Sequence, residues 1–152
     1  MRSEAGNPSG TDDCVFCAIV AGDTPAHVVA SDHATLAFLD VRPVFPGHVL
    51  LVPRDHHETL GDLPPALVGP LFDAAQRLAR AVEAGMDAHG TFVAMNNRVS
   101  QSVPHLHVHV VPRRRKDGLR GFFWPRQRYA GEDEMSEVAA RIRAATTHTA
   151  SD

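Results

Sequence analysis

The run HLHVHVV at 105–111 restricts this chain more than any other stretch. Side chains alternate between the two faces of a strand. An extended backbone here puts His105, His107 and His109 on one face and Leu106, Val108 and Val110 on the other. The apolar face demands a core. The imidazole face suits neither a core nor plain solvent, so something must sit against it. Spacing alone leaves three chemistries open: a metal held by two of the rings, a hydrogen-bonded stack, or attack by one ring while its neighbours orient it or bind charge. Same-face neighbours lie about 6.6–6.8 Å apart, so one phosphate can touch adjacent rings.

At 152 residues the chain is one domain on length grounds, with enough apolar residues for a core that needs no disulfide. CVFCAIVAG at 14–22 reads as a short helix closed by Gly22. Residues 27–31 and 34–40 read as strands around a Ser31-Asp32-His33 turn, and 48–54 as a strand ending at Pro53. Between Pro64 and Gly90, Leu67, Leu71, Ala75, Leu78, Ala79, Val82 and Met86 recur at helical spacing. A mid-helix proline clashes with the preceding turn, so the main helix is expected to begin near Pro70, with Pro64-Pro65 opening a separate turn. Residues 91–97 form a further strand and 132–145 a final amphipathic helix. This order predicts an α+β domain around an antiparallel sheet, spanning 13–145 between flexible tails at 1–12 and 146–152.

The net charge of −3 decides nothing about an anionic ligand. No apolar run approaches the roughly 20 residues that span a membrane, and the first residues lack a signal-type apolar segment. A cytoplasmic protein with no membrane partner is expected. PRRRKDGLR at 112–120, with Arg126 and Arg128 behind it, reads either as a solvated loop or as a positive rim that draws phosphates. No aromatic platform interleaves it and the chain is acidic overall, so no nucleic-acid partner is expected. GLRGFFWPRQRY at 118–129 suits a subunit interface or a lid, with Trp124 as anchor. Cys14 and Cys17, the two cysteines, leave open a redox pair, two buried small hydrophobes, or half of a structural zinc site.

Three blocks taken together resemble the histidine-triad (HIT) family. Its hallmark, His-φ-His-φ-His-φ-φ with φ hydrophobic, is met without mismatch by His105–Val111 inside NNRVSQSVPHLHVHVVPR. LAFLDVRPVFPGHVLLVPRDH at 36–56 and CVFCAIVAGDTPAHVV at 14–29 resemble two further family stretches, so the likeness covers about 14–112. It implies a HIT-like fold: about five antiparallel strands, one main helix, and shorter N- and C-terminal helices. It also implies a nucleotide hydrolase or transferase that cleaves at the α-phosphorus of a nucleoside 5′-monophosphate conjugate. The partner would be a purine nucleotide, an AMP or GMP conjugate, of phosphoramidate type. Dinucleoside polyphosphate hydrolysis is the enzymatic alternative, and a nucleotide-binding regulatory protein with vestigial turnover is the alternative of another class. The family's members are commonly homodimers.

Carried over by position, the resemblance makes His107 the nucleophile of a covalent nucleotidyl-histidine intermediate. An imidazole with a pKa near 6.5 suits that task, being substantially neutral at cytoplasmic pH and a good leaving group. Its other nitrogen needs an acceptor, which the family takes from a backbone carbonyl. His109 is then a phosphate contact that stabilises developing charge, and His48 abuts the triad as the third member of the catalytic set. Asp40 accepts from ribose hydroxyls. Asn96, Gln101 and Ser102 meet phosphate, ribose or leaving group, while Phe38 and Leu39 wall the base pocket. Cys14, Cys17, His56 and His105 form a Cys2His2 structural zinc site, with no cofactor required in the chemistry itself; His57 is read as exposed. One departure stands out: Val99-Ser100-Gln101 occupies positions where the family often reads Ala-Gly-Gln, in a shorter loop. A glycine there commonly admits close approach of backbone to phosphate.

Overall fold

A computed structural model of the chain describes residues 13–121 and 125–148. Helix α1 (Val15–Ala21) leads into strands β1 (Val28–Ser31), β2 (Thr35–Leu39) and β3 (Val49–Pro53). A single 3-10 turn (Leu60–Asp62) precedes the long helix α2 (Pro65–Gly85), and strands β4 (Gly90–Ala94) and β5 (Val108–Arg113) follow. The five strands form one sheet in the order β1-β2-β3-β5-β4, every neighbouring pair antiparallel. Residues up to Asp117 form one compact unit and those from Gly118 another. Taken by itself, the second contains helix α3 (Glu132–His148), which runs three residues beyond the 145 expected for it. The Trp124 anchor and the tail at 1–12 lie outside the described residues.

Strand alternation divides the core into two clusters, one on each face of the sheet. Ala37, Val49, Leu51, Leu106, Val108 and Val110 pack on Leu71, Ala74, Ala75, Leu78 and Val82 of α2. On the opposite face Leu36, Phe38, Leu50 and Val52 pack on Cys14 and Phe16 at the start of α1. Leu106, Val108 and Val110 are fully buried, each worth roughly 1.5–3 kcal/mol of burial. The apolar half of the 105–111 pattern thus anchors the sheet on α2. Its polar half is left facing the α1 layer, where it must find chemistry rather than oil.

Two expectations need correction. The helix does not start at Pro70: α2 begins at Pro65, with Pro64 as N-cap, and runs on through Pro70. Proline is tolerated at the first helical position because its missing N–H has no intrahelical partner there. At Pro70 one hydrogen bond to the carbonyl four residues back is lost, near the solvent-exposed end of the helix, and the following turns hold. The second correction concerns the histidine run. The β5 ladder begins at Val108, so His105 and His107 precede the strand and only His109 belongs to it. Leu106 N–H donates instead to the His57 carbonyl at 2.7 Å, which keeps the segment extended and the alternation intact.

Two glycines act as hinges. Gly22 closes α1 in the left-handed conformation (φ +82°), its N–H reaching back to the last turn. Gly47 (φ +95°) turns the chain into β3 and sits so close to Met86 that a Cβ would lie 2.6 Å from its Cγ. That turn delivers His48 to the sheet face carrying the triad.

Candidate active site

The first of two side-chain clusters on this face is rich in sulfur. Cys14 caps α1, its Sγ accepting from Cys17 N–H at 3.4 Å. His105 Nδ1 lies 3.4 Å from Cys14 Sγ and 3.5 Å from Cys17 Sγ, and His56 Nδ1 lies 3.3 Å from Cys17 Sγ. All four donor atoms fall within 4.8 Å of one another. Bond lengths of about 2.3 Å to sulfur and 2.0–2.1 Å to nitrogen place the S···N edges of a tetrahedral zinc site at about 3.5 Å. The spacing therefore fits zinc. The tautomer fits as well: His105 Nε2–H donates to the Pro53 carbonyl at 2.9 Å, which leaves the Nδ1 lone pair for a metal. Burial, and then the adjoining Cys14 thiol, push Cys17 up to about 11, so a metal entering here displaces protons.

The second cluster contains no sulfur. His48 Nδ1 accepts from Val44 N–H at 3.1 Å, so in the neutral ring the proton sits on Nε2. That Nε2–H donates to His109 Nδ1 at 2.9 Å. His109 in turn must carry its own proton on Nε2. The two rings form a proton-ordered chain that ends in a donor. Burial first, then the neighbouring His107 and His48, push His109 down to about 4, and burial lowers His48 as well. Both rings are neutral near pH 7. Asp40 Oδ2 stands 3.7 Å from His48 Nδ1, while its Oδ1 accepts from Arg42 N–H at 2.9 Å.

His107 lies between the clusters. Its Nδ1–H donates to the His105 carbonyl at 2.7 Å. A carbonyl can only accept, so the lone pair is on Nε2. The ring packs against His109 (centroids 5.0 Å apart) and edge-to-face against Phe16 (5.1 Å). It borders a cleft of about 360 Å³ together with His109, Asp40, Ser102, Phe38 and Leu39. Val15, Phe16, Ile19, Val41 and Val103 complete an apolar wall.

The structure therefore brings Asp40, His48, Ser102, His107 and His109 together, and Cys14, Cys17, His56 and His105 beside them. Asn96 and Gln101 are not among the residues that line the cleft. The Asn96 amide donates to the Ser100 carbonyl at 3.2 Å; Gln101 donates to the Glu58 carbonyl at 2.6 Å and accepts from Arg98 N–H at 2.8 Å. Both amides shape the loop. His57 is half-buried rather than exposed. Phe16 is the residue that sequence reasoning missed. Its signal was an aromatic placed between the two cysteines, whose contacts with His56 and His105 set where that ring must go.

Comparisons with known proteins agree with this geometry. The HIT domain model matches residues 21–116. An uncharacterized HIT-like protein of Mycobacterium tuberculosis is 43% identical over 108 residues, covering 70% of this chain and 75% of the relative. An adenosine 5′-monophosphoramidase of Saccharomyces cerevisiae is 32% identical over 115 residues, covering 75% and 71%. A zinc-bound histidine triad family protein from Mycobacterium smegmatis superposes with a TM-score of 0.68 at 37% identity, over 89% of this chain and 99% of that one. A match of this extent, to the stretch that carries every histidine discussed above, makes the chain a member of the HIT, or histidine-triad, family.

Proposed function

We propose that the protein is a nucleotidyl hydrolase or transferase acting at the α-phosphorus of a nucleoside 5′-monophosphate conjugate, with AMP phosphoramidates as the substrate class. The observation that carries this reading is the 2.7 Å bond from His107 Nδ1–H to the His105 carbonyl, which fixes the ring's lone pair on Nε2 at the cleft. The relative named adenosine 5′-monophosphoramidase supports the substrate class.

In the first step His107 Nε2 attacks phosphorus. A nitrogen–phosphorus bond forms, and the bond to the leaving amine breaks as that amine takes a proton from solvent. The ring becomes a nucleotidyl-imidazolium whose charge faces the His105 carbonyl dipole. Water then attacks the same phosphorus and gives its proton back to solvent, while the nitrogen–phosphorus bond breaks, releasing the nucleoside 5′-monophosphate and a neutral ring. His109 Nε2–H points a neutral donor at the non-bridging oxygens, where negative charge grows. Ser102 contributes a hydroxyl at the cleft mouth, and Asp40 an acceptor for ribose hydroxyls. The aromatic edge of Phe38 and the apolar Phe16, Ile19 and Val41 suit a purine ring. Cys14, Cys17, His56 and His105 would hold zinc as a structural ion apart from the reacting phosphorus. The reading includes a homodimer in the cytoplasm, the first of which sedimentation of the purified chain checks.

The test is release of AMP from adenosine phosphoramidate. His107→Ala is expected to lose turnover by on the order of 1,000-fold or more while AMP still binds. Mass spectrometry of the quenched wild type is expected to find an adenylyl adduct on His107. A wild type with no turnover on any AMP or GMP conjugate assigns the chain to nucleotide binding instead.

A further inference from the structure

We propose that the metal cluster is a positioning device for the nucleophile, acting through the His105 main chain and the Phe16 ring, so that metal occupancy sets the tautomer and orientation of His107. This rests on His107 being the reacting group of the proposed function.

His105 carries three connections at once. Its Nδ1 faces both cysteine sulfurs, its Nε2–H donates to Pro53, and its carbonyl accepts the proton that defines the lone pair of His107. The sheet does not hold that carbonyl in place, because the β5 ladder begins only at Val108. Between the loop and the ladder the backbone is fixed by two hydrogen bonds, His105 N–H to the Val103 carbonyl and Leu106 N–H to the His57 carbonyl. The second of these also depends on the cluster, since His57 follows His56. One of the two anchors therefore runs through the neighbour of a candidate metal ligand, and the other is local to the loop.

Phe16 makes the second link. It lies on α1 between Cys14 and Cys17, and is 6% exposed. It meets His107 edge-to-face at 5.1 Å and His105 at 5.9 Å. α1 has only seven residues, too few to be stable alone. It packs on Leu36, Phe38, Leu50 and Val52, and its two cysteine sulfurs face histidines 39 and 91 positions away in sequence, so an ion shared by the four side chains would tie it down further. Loss of the ion frees the His105 carbonyl and the Phe16 ring together, and the His107 proton is then no longer confined to Nδ1. An imidazole that exchanges its proton between both nitrogens presents the wrong one part of the time, and misplacement of a reacting atom is costly. His105 and Phe16 are positioning residues here.

The experiment compares the full chain loaded with Zn²⁺ and after chelation, using long-range ¹H–¹⁵N spectra of the histidine rings without nucleotide. The loaded protein is expected to show His107 as a single Nδ1–H tautomer. After chelation that pattern is expected to average between tautomers while backbone amide signals of α2, on the opposite face of the sheet, keep their positions. On adenosine phosphoramidate, kcat falls about tenfold or more, and added Zn²⁺ restores both spectrum and rate. An unchanged ring spectrum in protein shown to be metal-free overturns the proposal, as does a folded chain that takes up no stoichiometric Zn²⁺. If chelation unfolds the domain, zinc-loaded Phe16→Leu decides: its His107 ring is expected to lose the single Nδ1–H pattern, and a retained single Nδ1–H tautomer overturns the coupling. If no AMP conjugate is turned over, the proposed function fails while the ring spectra still answer this question.

Discussion

The two histidine clusters on the α1 face use the same ring atoms, a few ångströms apart, to opposite ends. In the cluster of Cys14, Cys17, His56 and His105 the rings turn nitrogen lone pairs inward toward sulfur. In the cluster of Asp40, His48 and His109 a proton lies between the rings, and the last ring turns an N–H outward to the cleft. The partner of the far nitrogen makes the difference. The Pro53 carbonyl accepts a hydrogen bond from His105 Nε2–H and so leaves Nδ1 for a metal; the Val44 N–H donates to His48 Nδ1 and so commits Nε2 to donate. Backbone groups outside the motif decide which histidine offers a lone pair to a metal and which donates a hydrogen bond.

Paired substitutions can break this contrast. Cys14→Ser removes a buried sulfur of the candidate zinc site and is expected to lower unfolding free energy by roughly 3 kcal/mol or more, with zinc stoichiometry lost. Its effect on kcat, about tenfold or about 1.4 kcal/mol, is smaller. His48→Leu is expected to do the reverse: zinc content stays at the wild-type level, while kcat falls about 10–100-fold because His109 loses the bond that orders its tautomer. Urea unfolding, metal analysis and AMP release measure all three quantities. If both variants lose zinc equally, the clusters are one unit and the distinction fails.

Much of this was legible in the sequence, and the remainder was not for definite reasons. Alternation at 105–111 assigned Leu106, Val108 and Val110 to the core correctly, because burial follows side-chain direction even where the ladder is absent. The start of the ladder was illegible, since Leu106 bonds to a loop carbonyl rather than to a strand. Pro70 misled because the cost of a proline depends on how exposed its turn is, a tertiary property. Chemistry named the residue types at both clusters. It did not reveal that Gln101 spends its amide on Glu58 and Arg98, since those partners are main-chain atoms and carry no sequence signature.

A pH experiment sharpens the contrast through the sulfur-free cluster. His109 is held at about 4 in the folded protein, against about 6.5 unfolded. Between those values the unfolded chain binds more protons than the native one. The stability contributed by the neutral ring is therefore fully present above pH 6.5 and is lost as pH falls toward 4. From pH 7 to pH 4.5 this amounts to roughly 2 kcal/mol. His109→Asn does not titrate, so its stability is expected to fall by about that much less over the same range in urea titrations. Protonation of the cysteine cluster affects both proteins and cancels in the difference. Equal slopes would mean that the ring is no more protected from protonation than in the open chain.

The smallest effect concerns the loop that touches both clusters. Gln101 ties it to Glu58, two residues past His56, and Ser102 lines the cleft. Within it Arg98 (φ +70°) and Ser100 (φ +60°) are left-handed, a conformation that costs a residue with a Cβ about 1 kcal/mol. The Asn96 amide on the Ser100 carbonyl and the Arg98 N–H on Gln101 Oε1 hold the backbone in that shape despite the serine. Ser100→Gly removes the steric cost but adds freedom to the unfolded chain, which offsets part of the gain. The net expectation is a stabilisation of a few tenths of a kcal/mol, a rise in melting temperature of about 1 °C. Zinc content and kcat should not move, because side-chain amides rather than the residue at 100 set the path of the loop. A rise in kcat of severalfold in Ser100→Gly would show instead that serine strains the loop away from its working shape, with Ser102 as the group displaced.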